Sequence, residues 1–351
     1  MAGDNKKNLI VTLADKNYVE QAKQLFSSIY WNAGWKGDYM LLAQNIPEKE
    51  LKWFKDKGII ITKVSPVKIS NWKYEGEEYP ITIFSKFYLF TPEFKKWKNV
   101  VFLDTDIIVR ASLDELTKIK GFAAVKRFQE PLSKRFDFIK PNPPNKDIVK
   151  AYLEVKRDYN LKKAKFNSGV LVFSADIIKE NTFFKLDKLL LKYKNFVFGD
   201  EPILNLFFCK KWINLPPAYN VYPYFLMRHY KIIPNKIKGV ILHFASPTIE
   251  GKPWNIKNPF YKEWKNNLKK AEFINLKKPQ NPIKKWSKQE IKHYSQYLFK
   301  ERVKSLPLAI IYKIYLYVDR IIGLIGIFIK SISPKVYVML KKYKFNLSTD
   351  V

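Results

Sequence analysis

The stretch VVFLDTDIIV, residues 100–109, places two carboxylates inside an otherwise apolar run. Side chains on a strand alternate between its two faces, so Asp104 and Asp106 are expected to point the same way from a buried strand. Two ionised carboxylates that lie this close repel each other unless a cation or a shared proton lies between them. Hard divalent ions prefer oxygen ligands. The stretch therefore predicts a metal at a strand end, where it would hold something anionic. A solvated pair of acids in a turn is the alternative.

A candidate third ligand lies in a second apolar stretch, GVILHF at residues 239–244. Its histidine, His243, has apolar neighbours, whereas the other two histidines, His229 and His293, lie in mixed polar, aromatic and basic surroundings. Imidazole is a common ligand for borderline metals. His243 is therefore a candidate metal ligand, with a satisfied core histidine as the alternative.

The length and composition limit the number of domains and the compartment that fit this chain. The chain has 351 residues, of which 47% are hydrophobic, enough for one large α/β domain with an appendage or for two domains. Its one cysteine, Cys209, excludes an internal disulfide and suits a reducing compartment. A polar, lysine-bearing start and a short strand-like run over residues 8–14 lack the pattern of a secretory leader, so we expect no signal peptide.

Lysine gives the chain a large positive charge. The 64 basic residues minus the 32 acidic ones leave a net charge of +32. This charge favours a polyanionic partner such as nucleic acid, an anionic membrane or a phosphorylated substrate, and a compositional bias toward lysine is the alternative explanation. A nucleic-acid-binding protein should interleave basic and aromatic residues on a recognisable module. Here the lysines are spread along the whole chain, and no nucleic-acid partner is expected.

Strand-like and helix-like segments alternate in the amino-terminal part. Patterns of buried strands cover residues 8–14, 39–43 and 59–64, and helical patterns cover residues 18–30 and 47–57. The alternation predicts a mostly parallel sheet covered by helices, in which ligands bind beyond the carboxyl ends of the strands. The paired aspartates follow the apolar half of their predicted strand, so they lie at its carboxyl end. Neither a G-x-G-x-x-G motif nor a Walker lysine loop is present, so Rossmann-type dinucleotide binding and P-loop chemistry lose support.

Two further stretches place polar side chains at the ends of elements. Residues 166–173, FNSGVLVF, are typical of a strand with a polar entry. Residues 199–208, GDEPILNLFF, predict a helix start, with Asp200 as N-cap and Pro202 in the first turn. Helix capping is therefore the alternative to any catalytic role for Asp200.

With these pieces in order, the chain resembles the family 8 glycosyltransferases, which include glycogenin and the bacterial lipooligosaccharide galactosyltransferases. The resemblance covers roughly residues 8–260 and rests on the ordered set, because each motif alone is weak. The matching stretches are VTLA at 11–14, LDTD at 103–106, FNSGV at 166–170, GDE at 199–201 through Asn205, and His243 through the KPW at 252–254.

The resemblance implies an α/β GT-A fold, with a single Rossmann-like mixed sheet flanked by helices, and a UDP-sugar donor. It implies that Asp104, Asp106 and His243 bind Mn²⁺, or in second place Mg²⁺, which as a Lewis acid stabilises the departing diphosphate. Lys252 and Lys86 are expected to add positive charge at the phosphates, with solvated surface lysines as the alternative. Lys252 lies nine residues after His243, against about six in relatives, which leaves its reach to the phosphate open.

The resemblance also assigns residues to the sugar. Asn167 and Asp200 match positions that line the sugar site, and Asp200 would accept hydrogen bonds from sugar hydroxyls or assist the reacting centre. Glu201 stands where many relatives carry Gln. These are the three candidate catalytic residues. The family is retaining, and since no nucleophile stands out, front-face attack by the acceptor is plausible, with double displacement as the alternative.

Four residues are expected on the nucleotide side. Thr12, Leu13 and Tyr18 match the nucleoside pocket, and Thr105 lies within the metal motif. Tyr18 would stack on the uracil, although an aromatic near a first helix is more often part of the core.

The composition changes after Trp264. We expect a catalytic domain over residues 1–264, a basic linker or surface segment over residues 265–305, and an amphipathic membrane-association region over residues 306–351. The longest apolar run, residues 321–329, is far shorter than the about 20 residues that a spanning helix needs. Apolar residues at helical spacing instead favour one or two helices in the membrane interface, with packing onto the catalytic domain as the alternative.

The resemblance, together with these features, implies a retaining hexosyltransferase that moves glucose or galactose from a UDP-sugar to a saccharide acceptor. The acceptor is expected to be lipid-linked, or part of lipopolysaccharide or another cell-surface glycan. The enzyme would sit on the cytoplasmic face of the membrane as a peripheral protein, held by anionic lipid. The alternatives are a basic nucleic-acid-binding protein and a metal-dependent nucleotidyltransferase or phosphatase.

Overall fold

The computed structural model describes residues 6–67, 81–135, 146–193, 199–209 and 211–305. The chain divides into two compact units, Met1–Ser295 and Gln296–Val351. In the second unit the described residues, 296–305, are helical. The expected membrane-association region, residues 306–351, lies outside the described residues. Among those described, no helix combines the length and the apolar character needed to cross a bilayer.

In the described part of the first unit, nine strands form two sheets. The strands are β1 Leu9–Asp15, β2 Asp38–Gln44, β3 Ile60–Lys63, β4 Asn99–Leu103, β5 Ile107–Val109, β6 Phe122–Pro131, β7 Ala164–Ser174, β8 Ile213–Leu215 and β9 Ile241–His243. Seven of them form one mixed sheet in the order β3-β2-β1-β4-β7-β6-β8, and β5 pairs with β9 in a second sheet. Strands β1 to β4 of the large sheet run parallel, whereas β7 is antiparallel to both β4 and β6. The predicted mixed sheet is therefore confirmed, and the small second sheet is an addition to it.

Helices flank the large sheet. They are α1 Val19–Ser28, α2 Glu48–Asp56, α3 Lys146–Asp158, α4 Thr182–Tyr193, α5 Asp200–Phe207, α6 Pro223–Tyr230 and α7 Tyr261–Lys270. The first helix continues into a π turn, Ile29–Ala33. The strand–helix alternation predicted for the first 64 residues is present, with boundaries displaced by one or two residues.

A cluster of buried aromatic side chains fixes the segment before β4. Residues Ile81–Phe90 form a 3-10 helix, in which side chains three apart share a face. Phe84, Phe87 and Phe90 recur at that spacing and are fully buried, and Phe90 stacks on Phe173 of β7 at 4.9 Å between ring centroids. Burying each such ring stabilises the fold by about 1.5–3 kcal/mol. The same packing holds the intervening Lys86, whose ammonium reaches Asp104 just beyond the carboxyl end of β4.

The sequence predicted one continuous strand through the aspartate motif, but the structure has two. Strand β4 ends at Leu103, the next three residues form a turn, and β5 begins at Ile107. The chain turns because β5 leaves the large sheet to pair with β9, and the turn is held by Asp104 N–H donating to Gly169 O at 2.9 Å. The two carboxylates therefore do not share a strand face. Their predicted place at the carboxyl end of a buried strand is confirmed.

Residues 265–295 belong to the first compact unit. The Tyr30 hydroxyl donates to Lys278 O at 2.7 Å, and the Ser112 N–H donates to Lys284 O at 2.8 Å. These contacts hold the basic segment against the π turn that follows α1 and against the loop after β5.

Candidate functional site

The small sheet brings His243 to the aspartate turn. In the pairing of β5 with β9, Ile107 lies opposite His243, and the Phe244 N–H donates to Asp106 O at 2.9 Å. One potential ligand atom from each of Asp104, Asp106 and His243 then lies within 4.8 Å of the others. Three side chains that the sequence proposed as ligands, two of them far from the third along the chain, are thus brought together.

The geometry of this cluster suits a divalent cation. His243 Nε2 lies 3.2 Å from Asp106 Oδ1 and 3.8 Å from Asp104 Oδ2. The imidazole is 2% exposed, whereas the side chain of Asp104 is 32% exposed, so the cluster is closed on the histidine side and open beside Asp104. Two carboxylate oxygens and one imidazole nitrogen form a donor set that Mn²⁺ and related ions accept. The residues therefore fit a metal with open coordination positions.

Lys86 is a buried cation between two carboxylates. Its ammonium lies 3.2 Å from Asp104 Oδ1 and 2.9 Å from Asp200 Oδ2, and it donates to Ser168 O at 3.1 Å. Burial alone would lower the pKa of Lys86, but the two carboxylates outweigh burial and hold that pKa above its ordinary value. Lys86 therefore stays charged inside the site and is no solvated surface lysine.

Lys252 also reaches the cluster in spite of the longer loop before it. A short 3-10 turn, Ile249–Gly251, returns the chain, and Lys252 Nζ donates to Asp106 Oδ2 at 2.7 Å and to Phe244 O at 3.1 Å. Burial alone would raise the pKa of Asp106, but His243 and Lys252 hold it well below its usual range. Burial raises the pKa of Asp104 despite the opposing charges of Lys86 and His243. The two acids of the motif thus differ in their affinity for a proton.

Asp200 is placed by the helix it begins. Gly199, with φ of +78°, is the N-cap of α5, and Asp200 is its first residue, so the expected capping role of Asp200 is wrong. A glycine tolerates this left-handed φ without steric cost. The Asp200 carboxylate is free to pair with Lys86, and the side chain is 9% exposed.

A hydrogen-bond chain joins the other two sugar-side residues. Asn167 Nδ2 donates to Glu201 Oε2 at 2.9 Å. Arg127 of β6 contacts the same carboxylate, with Nη1 at 3.1 Å from Oε1 and 3.3 Å from Oε2. Glu201 is therefore a carboxylate that is both ion-paired and hydrogen-bonded.

Gly169 permits the close approach of the candidate ligands Asp104 and His243. A Cβ built on this glycine would lie 2.2 Å from His243 Cε1 and 2.8 Å from Asp104 Oδ2. No side chain fits there unless the ligands move. The glycine of the FNSGV motif is thus required by packing against the cluster, a role that its sequence position alone did not reveal.

The residues expected on the nucleoside side lie at the end of β1 and beyond. Thr12 is fully buried, and its hydroxyl donates to Leu103 O at 2.7 Å. Leu13 is partly buried, and Thr105 lies within the aspartate turn at 9% exposure. Tyr18 is 37% exposed, and its ring packs edge-on against Trp254 at 6.2 Å. Burial raises the pKa of Tyr18, with Lys252 acting in the opposite direction.

The sequence missed three residues of the site: Arg127, Asn220 and Tyr222. Asn220 Oδ1 lies 2.9 Å from His243 Nδ1, and the Tyr222 ring lies 5.5 Å from the His243 ring. The Tyr222 hydroxyl has no hydrogen-bond partner among the described residues, and burial raises the pKa of this phenol. Asn220 and Tyr222 lie in the segment LPPAYNVYP, residues 215–223. Its asparagine, between two tyrosines and after two prolines, was the one local feature that could have drawn attention to this segment.

Known proteins are similar to this chain in sequence or in fold. GlyE of Streptococcus pneumoniae serotype 4 is 23% identical over 273 residues, covering 72% of this chain and 58% of GlyE. GlyB of the same organism is 26% identical over 222 residues, covering 62% of this chain and 48% of GlyB. The chain thus spans about half the length of the curated relatives it matches. The structure of the galactosyltransferase LgtC in complex with donor and acceptor sugar analogs superposes with a TM-score of 0.56 at 17% identity, covering 74% of this chain and 95% of LgtC.

The likeness to solved glycosyltransferase structures confirms the predicted GT-A fold. The family model described as glycosyl transferase family 8 matches residues 9–258, well over half of the chain. This range contains β1 to β9, the aspartate turn, the FNSGV strand and the segment with His243 and Lys252. The chain belongs to glycosyl transferase family 8.

Proposed function

We propose that this protein is a metal-dependent retaining hexosyltransferase that transfers glucose or galactose from a UDP-sugar to a saccharide acceptor. Family membership supports sugar transfer from a nucleotide-sugar donor. The observation that carries the finer proposal is the convergence of Asp104, Asp106 and His243 with two lysines at the carboxyl end of β4. Such a cluster provides ligands for a cation and fixed positive charges for a diphosphate.

The donor set supports a divalent cation as cofactor. Bound by Asp104, Asp106 and His243, Mn²⁺ or Mg²⁺ would supply Lewis-acid stabilisation of the negative charge on the departing UDP. The chain's own contribution is to hold the three ligands in place before the ion arrives. The β5–β9 pairing and the hydrogen bond from Asp104 N–H to Gly169 O do this, because they fix the backbone on both sides of the cluster.

The two lysines are proposed to share the leaving group's charge. Lys86 and Lys252 each contact one acid of the motif, at 3.2 Å and 2.7 Å. Each lies close enough to the ligand atoms to meet an anionic group held there. Fixed positive charges in a buried site stabilise developing negative charge without reorganising solvent.

The sugar side supports front-face attack by the acceptor. Asp200 is paired with Lys86, and Glu201 is paired with Arg127 and hydrogen-bonded by Asn167. Carboxylates held in this way are better suited to accept hydrogen bonds from sugar hydroxyls than to form a covalent bond to the sugar. We assign Asp200, Asn167 and Glu201 to the sugar, and Thr12, Leu13, Tyr18 and Thr105 to the nucleotide.

The direct test is a screen of nucleotide sugars for Mn²⁺-dependent release of UDP. We expect release from UDP-glucose or UDP-galactose that is lost on adding a chelator and regained with Mn²⁺. Asp104→Asn and Asp106→Asn should each remove most of the release while leaving the protein folded, as circular dichroism would show. Asp114→Asn, at an exposed carboxylate paired with Lys285, is the matched control. Undiminished turnover in both site variants would refute the assignment.

The acceptor and the location of the enzyme are a separate proposal. We propose a lipid-linked or cell-surface saccharide acceptor, reached from the cytoplasmic face through residues 306–351 and through lysines that attract anionic lipid. Sedimentation with anionic vesicles, with and without residues 306–351, tests the role of this region. Equal partitioning of the two forms would rule it out.

A further inference from the structure

Asn220 lies between the histidine of the metal cluster and the asparagine of the sugar side. It is 2% exposed. Its Nδ2 lies 3.0 Å from Asn167 Oδ1, and its Oδ1 lies 2.9 Å from His243 Nδ1. The backbone puts it there, because the neighbouring Val221 donates its N–H to Ile241 O and accepts from the His243 N–H. Asn220 is therefore tied to β9 next to the histidine.

The orientation of the Asn167 amide can be deduced from its other partners. The Gly169 backbone N–H, which can only donate, lies 3.0 Å from one terminal atom of Asn167, so this atom must be the oxygen. The other terminal atom lies 2.9 Å from the Glu201 carboxylate, which is paired with Arg127 and can only accept. The two contacts agree, and they fix Asn167 with Oδ1 toward Gly169 and Nδ2 toward Glu201.

This orientation then determines the protonation pattern of His243. Because Asn167 Oδ1 can only accept, the group of Asn220 that faces it is the Nδ2 amide. Asn220 Oδ1 must then face His243, and the imidazole must donate to it from Nδ1. A neutral imidazole that carries its hydrogen on Nδ1 has its lone pair on Nε2. Nε2 is the atom that faces Asp106 and Asp104, at 3.2 Å and 3.8 Å.

The ring is confined on other sides as well. Gly169 leaves only enough room for the ring, since a Cβ there would lie 2.2 Å from Cε1. The Tyr222 ring packs 5.5 Å from the imidazole, at an angle of 42°. Packing thus limits the position of the ring, and the hydrogen bond to Asn220 selects which nitrogen points at the acids.

We propose that Asn220 is a positioning residue that fixes the His243 tautomer and aims Nε2 at a divalent cation held by Asp104 and Asp106. The proposal rests on the metal site of the proposed function. Groups that orient metal-binding histidines in this way typically change metal affinity by about 10–100-fold when they are lost. Asn220 would act through His243 and would itself touch neither ion nor substrate.

Mn²⁺ binding to the full-length protein tests this without any sugar substrate. Free Mn²⁺ is titrated by electron paramagnetic resonance, and pulsed measurements on protein with ¹⁵N-labelled histidine detect nitrogen bound to the ion. Asn220→Leu removes the acceptor for Nδ1–H at similar volume, and we expect about 10–100-fold weaker Mn²⁺ binding with loss of the histidine coupling. Asn220→Asp keeps an acceptor and should keep the coupling.

Asn99→Leu is the matched control, because Asn99 is also buried and hydrogen-bonded, to Thr117 O at 2.7 Å, but lies at the opposite end of β4. It should leave Mn²⁺ affinity and histidine coupling unchanged. The proposal is overturned if folded Asn220→Leu behaves as the parent, or if Asn99→Leu weakens Mn²⁺ binding equally. Should Asn220→Leu not fold, loss of the coupling in Asn220→Asp overturns it. A parent protein without histidine coupling would instead refute the metal site, and the proposal with it.

Discussion

Lys252 Nζ lies 2.7 Å from Asp106 Oδ2, although 146 residues separate the two along the chain. The ammonium therefore pairs with a proposed metal ligand. From this position it would contact an anionic group bound to the metal ion. The ammonium also donates to the backbone oxygen of Phe244, the residue next to His243. This hydrogen bond joins the end of the loop that follows β9 to its beginning. The nine-residue separation of Lys252 from His243 therefore does not keep Lys252 away from the site.

Lys252 is expected to matter for turnover more than for metal binding. Lys252→Met removes a fixed positive charge that is proposed to lie beside the leaving group. This should lower Mn²⁺-dependent UDP release by roughly 10²–10³-fold, the usual cost of losing one stabilising donor. Mn²⁺ affinity should stay the same or rise, because a competing cation on Asp106 is gone. Kinetics and a Mn²⁺ titration on the same sample check this, and Lys252→Arg should retain more activity. A parallel loss of Mn²⁺ binding would show that Lys252 supports the ligands instead.

Lys86 is expected to contribute to stability as well as to activity. Lys86→Met leaves Asp104 and Asp200 without their shared cation, and removing one partner of a buried ion pair costs about 3–5 kcal/mol. Because Asp104 is partly exposed, we expect the free energy of unfolding, measured with denaturant, to fall by an amount at the lower end of this range. Lys86→Arg should cost less.

The pH dependence of this variant follows from the same charges. Without Lys86, burial acts unopposed by that cation and raises the pKa of Asp104 further than in the parent. A carboxyl whose pKa is higher in the folded than in the unfolded chain favours folding when protonated, so the stability deficit of Lys86→Met should shrink as pH falls. A deficit that is independent of pH, measured by denaturant titration in a pH series, would contradict this.

Gly169 should tolerate no side chain. In Gly169→Ala the new Cβ would lie 2.2 Å from His243 Cε1 and 2.8 Å from Asp104 Oδ2, so one or both ligands must move. We expect Mn²⁺ binding and UDP release to be lost. Gly121→Ala is the control, since its Cβ meets nothing within 4 Å while its φ of +86° brings backbone strain of about 1–2 kcal/mol. Mn²⁺ binding by Gly169→Ala at parent affinity would show that the cluster is less rigid than this contact implies.

The Arg127–Glu201 pair should be energetically coupled. Arg127→Met leaves a buried carboxylate without this ion pair at the proposed sugar site, and Glu201→Gln leaves Arg127 facing a neutral amide. The double variant should be less impaired than the two single effects combined, with a coupling of about 0.5–3 kcal/mol in the transition-state free energy from kcat/KM. Strict additivity in this double-mutant cycle would mean that the ion pair does not act in catalysis.

Local patterns in the sequence predicted much of the fold. The alternation of strands and helices over the first 64 residues, the buried strand before Asp104 and the FNSGV strand depend on periodicity and on residues close together in the chain, and the structure has them. The order of the motifs was enough to indicate the family. The strand predicted across residues 100–109 was wrong, because the apolar run contains two strands that belong to different sheets.

The sequence by itself determined that two carboxylates follow a buried strand and that a lone histidine ends another apolar stretch. Only the tertiary structure decided that these three side chains meet, because the meeting depends on the antiparallel pairing of β5 with β9, whose partners are more than a hundred residues apart. Tertiary structure also brought Asn220 between Asn167 and His243, and Arg127 to Glu201. Hydrogen bonds and ion pairs between distant segments follow no local period, so the sequence did not specify which residues these side chains contact.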